Sequence, residues 1–258
     1  DMVSMARPLL ADPQWVAKAR AGTPERINTC IACNQACLDH VFQNRTASCL
    51  VNPRACAETE LNYFPAATPL RIAVVGAGPA GLACATVAAQ RGHRVTLFDA
   101  AADIGGQFNL ARRIPGKEEF DETLRYFRQR LGETGVDVRL STPVAASDLA
   151  GFDAVVLATG VVPRAVDFPG CDHPKVVGYI DVLEGRVVPG ARVAIIGAGG
   201  IGFDVGEFLV EHAGHSPSLD AAVWMREWGV DPQFEQPGGL VPAAPAPPAR
   251  ALWLLQRS

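Results

Sequence analysis

The chain has no apolar run that approaches the roughly 18 residues of a transmembrane helix, and no signal-peptide pattern opens it. The chain also has no excess of basic over acidic residues: its formal net charge is −4. It therefore lacks the basic surface that is typical of nucleic-acid binders and membrane-surface proteins. Seven cysteines occur without an export signal. They point to a reducing compartment, where thiolates stay free to bind metal, and we expect a cytoplasmic protein. With 48% hydrophobic residues over 258 positions, more than one domain is expected.

A second C-x2-C pair is missing as well, and this bears on four cysteines near the start of the chain. They follow the spacing C-x2-C-x3-C-x11-C and are Cys30, Cys33, Cys37 and Cys49. Four soft thiolates complete the ligand set of a 4Fe-4S cluster. Structural zinc sites more often use two C-x2-C pairs, so the spacing favours a cluster, with zinc or unliganded buried thiols as alternatives. Cys56, Cys84 and Cys171 have no partner at ligand spacing and are expected to be small buried hydrophobes.

A glycine-rich turn follows the apolar run of residues 71–75, which is typical of a strand buried in a parallel sheet. The turn G-A-G-P-A-G opens a helix that is predicted to run to about Gln90, so this G-x-G-x-x-G fingerprint lies in its strand–turn–helix context. The first glycine allows the tight turn, the second allows a pyrophosphate to approach the backbone, and the third allows close helix packing. An acid at the end of the next strand accepts the hydroxyls of a ribose. The predicted cofactor-binding residues are Gly76, Gly78, Pro79, Ala80, Gly81 and Asp99.

A second strand–turn–helix pattern covers residues 191–209 and predicts a second nucleotide. Its glycines are Gly197, Gly199 and Gly202. The following strand is delayed by an insertion over residues 214–250, and Arg257 then stands where an NAD site carries an acid. Because an arginine there pairs with a 2′-phosphate, the pattern favours NADPH, with a solvated arginine at a strand end as the alternative.

Two shorter patterns lie between the fingerprints. The run I-G-G-Q places Gln107 within reach of a flavin nucleotide, and residues 151–164 contain a buried strand that ends in A-T-G. The small residues after that strand, Thr159 and Gly160, leave room for a cofactor to pass. A charged amphipathic helix is predicted over residues 117–133, with Lys117 at its solvated start.

The two ends of the chain suggest a fragment. Residues 2–8 are interpreted as the tail of a buried strand, and a short helix is predicted over residues 13–22. The chain closes on A-L-W-L-L-Q-R-S, a strand with nothing after it.

The runs C-I-A-C-N-Q-A-C-L-D, S-C-L-V-N-P-R-A-C and I-P-G-K-E-E-F, together with both fingerprints, resemble the bacterial NADPH-dependent 2,4-dienoyl-CoA reductases. More distantly they resemble trimethylamine dehydrogenase and the enoate reductases, iron–sulfur flavoproteins with a barrel of the Old Yellow Enzyme type. The resemblance implies an α/β fold in four parts. Residues 1–25 would end an FMN-binding TIM barrel, 26–68 carry the cluster and a linker, 69–185 begin a Rossmann-like FAD domain, and 186–258 form a truncated, inserted Rossmann-like NADPH domain.

The resemblance also implies roles for individual residues. Ala6 and Arg7 match the pair that binds FMN phosphate, which a guanidinium clasps through two hydrogen bonds. FAD contacts map onto Ala80, Asp99, Gln107 and Val161, and less securely onto Lys117. The family usually has glutamate where Asp99 stands, a change that preserves the charge.

The implied reaction passes electrons from NADPH through FAD and a 4Fe-4S cluster to FMN and reduces the double bond of 2,4-dienoyl-CoA in the β-oxidation of unsaturated fatty acids. The family's proton donors, a tyrosine and a histidine of the barrel, have no equivalent in this sequence, so it contains no predicted catalytic residue. The implied partner is a small molecule, an unsaturated acyl-CoA or related enone. The alternatives are an enone or enoate reductase, an amine dehydrogenase, or a non-catalytic nucleotide-binding fragment with zinc.

Overall fold

The computed structural model describes residues 2–212 and 216–256. They divide into two compact units, Asp1–Asn109 with Glu119–Pro163, and Leu110–Glu118 with Arg164–Ser258. Within the described residues, none of the helices combines the length and apolar character that crossing a membrane requires. The predicted boundaries at residues 25, 68 and 185 stay predictions.

The first unit begins with short helices. They are α1 (Arg7–Ala11), α2 (Trp15–Arg20), a 3-10 turn (Pro24–Arg26) and α3 (Leu38–Phe42). The prediction of a strand through residue 8 is wrong, because Arg7 opens α1 and Pro8 lies in its first turn, where a missing N–H leaves no hydrogen bond unmade. The helix predicted over residues 13–22 is present but shorter. The assignment of residues 1–25 to a barrel stays a prediction.

A four-stranded parallel sheet forms the centre of this unit. Its strands are β1 (Arg71–Val75), β2 (Arg94–Phe98), β3 (Asp137–Arg139) and β4 (Ala154–Leu157), in the spatial order β3-β2-β1-β4. Two long helices, α4 (Pro79–Gln90) and α6 (Glu119–Thr134), pack together in its core, and the short α5 (Phe108–Ala111) lies between them in sequence. Since β1 lies between two parallel strands, its apolar run is buried as the sequence predicts. The prediction that β4 is buried is wrong, because β4 is an edge strand and Val155 and Leu157 are exposed.

The second unit has the same elementary pattern around a pair of parallel strands, β5 (Arg192–Ile196) and β6 (Ala251–Leu255). Three helices accompany them: α7 (Tyr179–Leu183), α8 (Gly200–Val210) and α9 (Ala221–Trp228). The delayed strand is confirmed, since β6 follows the insertion and pairs in register with β5. Both units are therefore Rossmann-like, and the predicted α/β fold is confirmed.

Candidate functional site

The four predicted cluster ligands line one small cavity in the first unit, together with Arg7 and Asn34. None of the four cysteines is in a disulfide, and each is half-buried. Burial raises the pKa of the Cys49 thiol, partly offset by the backbone amides of Val51 and Asn52. A bound cation reverses this preference, because a coordinating thiol is deprotonated outright. The structure thus brings together the residues that the spacing predicts.

Two kinds of metal centre use four cysteine ligands, and they differ in the separation of the sulfur atoms that they require. Among the described residues, no three His, Cys, Asp or Glu side chains approach closely enough to hold one ion. Tetrahedral zinc with bonds of about 2.3 Å to each sulfur requires sulfur atoms about 3.8 Å apart. A 4Fe-4S cluster binds each thiolate through a different iron and accepts a wider set. The choice between a 4Fe-4S cluster and a zinc ion stays a prediction.

A buried polar network joins the two sides of this cavity. The Asp12 carboxylate accepts hydrogen bonds from the backbone N–H of Asn28 at 2.8 Å and from Lys18 Nζ at 2.6 Å. The side-chain Nδ2 of Asn28 donates to the carbonyl oxygen of Val51 at 2.7 Å. Asn28 lies two positions before Cys30 and Val51 lies two positions after Cys49, so this bond closes the loop across the cavity. The sequence did not indicate these roles, because the partners are far apart in the chain.

Arg7, predicted to hold an FMN phosphate, lies beside the cysteine loop. Its Nη1 donates to Asn34 Oδ1 at 2.6 Å, and Ala6 is the N-cap residue of α1. A guanidinium has five N–H donors, so this bond leaves others available for a phosphate. The FMN role of Ala6 and Arg7 stays a prediction.

The first fingerprint forms a cradle at the start of α4. Gly76 has a φ of +109°, and a Cβ there would collide with the carbonyl oxygen of Ala158 just after β4. A Cβ on Gly81 would collide with the carbonyl oxygen of Gly76, so the turn and the helix are in contact. At Gly78, by contrast, an added Cβ would meet no atom within 4 Å, and Pro79 then begins the helix. Free helix N–H groups beside open space are what a pyrophosphate requires.

Asp99 holds this cradle from the end of β2. Its Oδ2 accepts the backbone N–H of Ala77 at 2.6 Å, and its Oδ1 accepts that of Ala101 at 2.7 Å. A carboxylate has about four acceptor sites, so two bonds leave capacity for ribose hydroxyls. Ala77 lies between the first two glycines of the fingerprint, and Asp99 therefore orders the turn. Its contact with a ribose stays a prediction.

Replacing Asp99 by alanine should weaken FAD retention by roughly 1–3 kcal/mol, because ribose and backbone donors lose their acceptor. Asp99→Glu keeps the charge and should retain the cofactor. Both variants are made in the full-length protein, and bound FAD is measured after dialysis. FAD bound by Asp99→Ala as firmly as by wild type would show that the carboxylate has no part in binding.

Two separate sequence patterns meet at the cradle. The Nε2 of Gln107 donates to the carbonyl oxygen of Val161 at 2.5 Å, which joins the I-G-G-Q run to the segment after β4. A Cβ on Gly106 would lie 3.2 Å from the Cα of Gly78, so the same run borders the open position of the fingerprint. Thr159 and Gly160 follow β4 after one intervening residue, Ala158. The structure thus assembles these predicted contacts, whereas their binding of FAD stays a prediction.

Lys117, the least secure FAD contact, belongs to the second unit. Its Nζ lies 2.6 Å from Asp204 Oδ2 on α8, and both side chains are about one-third exposed. The lysine is therefore paired with a carboxylate, and its contact with FAD stays a prediction.

The second fingerprint repeats the geometry of the first. Gly197 has a φ of +112°, and a Cβ on Gly202 would collide with the Gly197 carbonyl oxygen. Gly199 is the N-cap residue of α8 and has open space around it. The Gly197 amide donates to the carbonyl oxygen of Leu255 at 2.8 Å, so the turn adjoins β6. Arg257 lies outside the described residues.

Comparison with known proteins supports this picture. Residues 70–236 match the family model described as pyridine nucleotide-disulphide oxidoreductase. A metal reductase of Desulforamulus reducens is 40% identical over 217 residues, which are 82% of this chain and 32% of the relative. A solved 2-naphthoyl-CoA reductase in complex with 2-naphthoyl-CoA has a TM-score of 0.77 and 38% identity, over 80% of this chain and 32% of that one.

A 6-hydroxypseudooxynicotine amine oxidase from Pseudomonas geniculata has a TM-score of 0.71 and 33% identity, over 79% of this chain and 33% of that one. The chain therefore spans about a third of the length of these relatives. The family model includes both glycine fingerprints and more than half of the chain, and the predicted oxidoreductase class is confirmed. The chain belongs to the pyridine nucleotide-disulphide oxidoreductase family.

Proposed function

We propose that this chain is the electron-transfer part of an iron–sulfur flavoprotein that takes electrons from NADPH and uses FAD, a 4Fe-4S cluster and FMN to deliver them. One observation carries the proposal: four cysteines line a single cavity in the same compact unit as a dinucleotide cradle. Bound flavins exchange electrons singly or in pairs, which suits them to stand between a hydride donor and a one-electron cluster.

Each cofactor is assigned to a separate group of residues. The open position at Gly78 and the N-terminus of α4 receive the FAD pyrophosphate, and Asp99 takes the ribose. The four thiolates hold the cluster, and Arg7 takes the FMN phosphate. NADPH binds at the start of α8, and the sequence pattern assigns its 2′-phosphate to Arg257, which lies outside the described residues.

For the substrate we propose the unsaturated thioester 2,4-dienoyl-CoA. The solved relative in complex with 2-naphthoyl-CoA supports a CoA thioester, because that protein is a reductase bound to a ligand of this class. Oxidation of an amine is the second candidate, because another solved relative is an amine oxidase. The two candidates differ in the direction of electron flow, which makes them separable.

The test uses the full-length protein without oxygen. NADPH should bleach the flavin absorbance faster than NADH does, and 2,4-dienoyl-CoA should then restore it faster than cinnamate does. Bleaching by a methylated amine without any NADPH would instead establish the amine reaction. A purified protein with zinc and without iron would refute the relay.

A further inference from the structure

Arg125 on α6 donates hydrogen bonds to residues 24–29, the segment that leads into the cysteine loop. The guanidinium of Arg125 donates to the carbonyl oxygens of Pro24 at 3.3 Å and Ile27 at 2.9 Å, and also to that of Glu25. It further donates to Thr29 Oγ1 at 3.3 Å. Thr29 directly precedes the first cysteine of the motif, so four acceptors in six residues are held immediately before the cavity.

We call the hydrogen bonds from Arg125 to residues 24–29 the clamp. Their geometry requires an arginine. The Nε of Arg125 donates to Glu122 Oε2 at 2.6 Å, which orients the planar group and leaves both terminal nitrogens for the carbonyl oxygens. Lysine has a flexible side chain and a single ammonium group, so it cannot present two terminal nitrogens in one plane. A second link from the same helix, Arg26 Nε to Glu133 Oε1 at 2.5 Å, is a surface ion pair, and such pairs contribute little.

The inner face of α6 belongs to the core of the FAD cradle. Leu124, the neighbour of Arg125, is fully buried and shares one apolar cluster with Leu82 and Ala85 of α4. The helix α4 begins at the open glycine of the fingerprint. Because packed interiors transmit displacement, α6 connects the start of α4 to the cysteine loop as a rigid spacer.

We infer that Arg125 is a positioning residue that sets the separation between the FAD cradle and the cysteine loop. The inference rests on the proposed function, since it matters only if both sites are loaded. Arg125 touches neither cofactor in this role. It holds residues 24–29 against α6, and through them the position of Cys30.

The test compares Arg125→Gln with Arg128→Gln in the full-length protein. Arg128 lies on the same helix and pairs with the exposed Asp103, so its loss removes the same charge without touching residues 24–29. Amide exchange of residues 24–33 should accelerate in Arg125→Gln and stay at the wild-type rate in Arg128→Gln. Chelators should also extract iron faster from Arg125→Gln alone.

Comparing the rate of FAD reduction with the rate of cluster reduction distinguishes a positioning role of Arg125 from a role in folding. With NADPH as the reductant, the first phase of flavin bleaching, which is reduction of FAD, should match wild type in Arg125→Gln. The paramagnetic signal of the reduced cluster should appear at least about tenfold more slowly, because small misplacements cost large factors in rate. Arg125→Lys should lie between the two, because it keeps the charge and loses the two terminal nitrogens in one plane.

Wild-type amide exchange in Arg125→Gln would overturn the inference. So would faster exchange with an unchanged rate of cluster reduction, which would reduce the clamp to a structural contact. Loss of FAD from both Arg125 variants would show that the arginine maintains the whole unit, and would overturn it too. A wild-type protein without iron or FAD would refute the proposed function, and the exchange comparison would still test the clamp.

Discussion

Replacing Cys49 by alanine should remove most of the iron from the full-length protein, whereas Cys56→Ala should leave the iron content at the wild-type level. Cys49 lines the cavity with the other three predicted ligands. Cys56 lies outside the cavity and is exposed, so the prediction that it is buried is wrong. A 4Fe-4S cluster uses four thiolates, and a site with three leaves one iron open to solvent and loss. Iron and acid-labile sulfide per chain, together with the visible absorbance, measure the effect.

Cys56→Ala is the control, because both cysteines lie in the same segment and Cys56 lies outside the cavity. Equal iron in the two variants would show that Cys49 is not a ligand. Zinc in wild type that falls in Cys49→Ala alone would establish the same four residues as a zinc site.

The cysteine set could be predicted because its information is local. Three of the predicted ligands fall within eight residues, and thiolates have few other uses at that spacing. The same holds for the fingerprints: β1 and α4 occupy the predicted residues, since an apolar run, glycines and a helix start follow one another directly. The structure adds that Asp99 holds the turn through Ala77, a contact across 22 positions.

Other features depend on partners that are far apart in the chain. The hydrogen bond from Arg125 to Ile27 spans 98 positions, and nothing near either residue indicates it. The network of Asp12 and Asn28 has the same character. The interpretation of residues 2–8 as a strand failed for a different reason, because apolar content was given more weight than Pro8, which suits the first turn of a helix.

Alanine substitutions at two glycines of the first fingerprint should have different effects: one should lower stability and the other should lower the affinity for FAD. A Cβ on Gly81 would collide with the backbone carbonyl of Gly76, which cannot move without distorting the turn. Gly81→Ala should therefore destabilise even the cofactor-free protein, by roughly 1–3 kcal/mol or more, since forcing extra atoms into a packed site displaces backbone. Denaturant unfolding of the cofactor-free full-length protein measures this loss.

Gly78→Ala should instead leave the cofactor-free protein within about 0.5 kcal/mol of wild type, because the new methyl group meets no protein atom within 4 Å and the φ of −72° is ordinary. The methyl group would occupy the space that the pyrophosphate needs, so the affinity for FAD should fall by at least about tenfold, which is 1.4 kcal/mol. Gly132→Ala, on α6 with open space around it, controls for the substitution itself and should lose neither stability nor FAD. If Gly78→Ala unfolded as readily as Gly81→Ala, the open position would be a packing requirement of the turn. If it bound FAD like wild type, the pyrophosphate would lie elsewhere, and the cradle at the start of α4 would need another ligand.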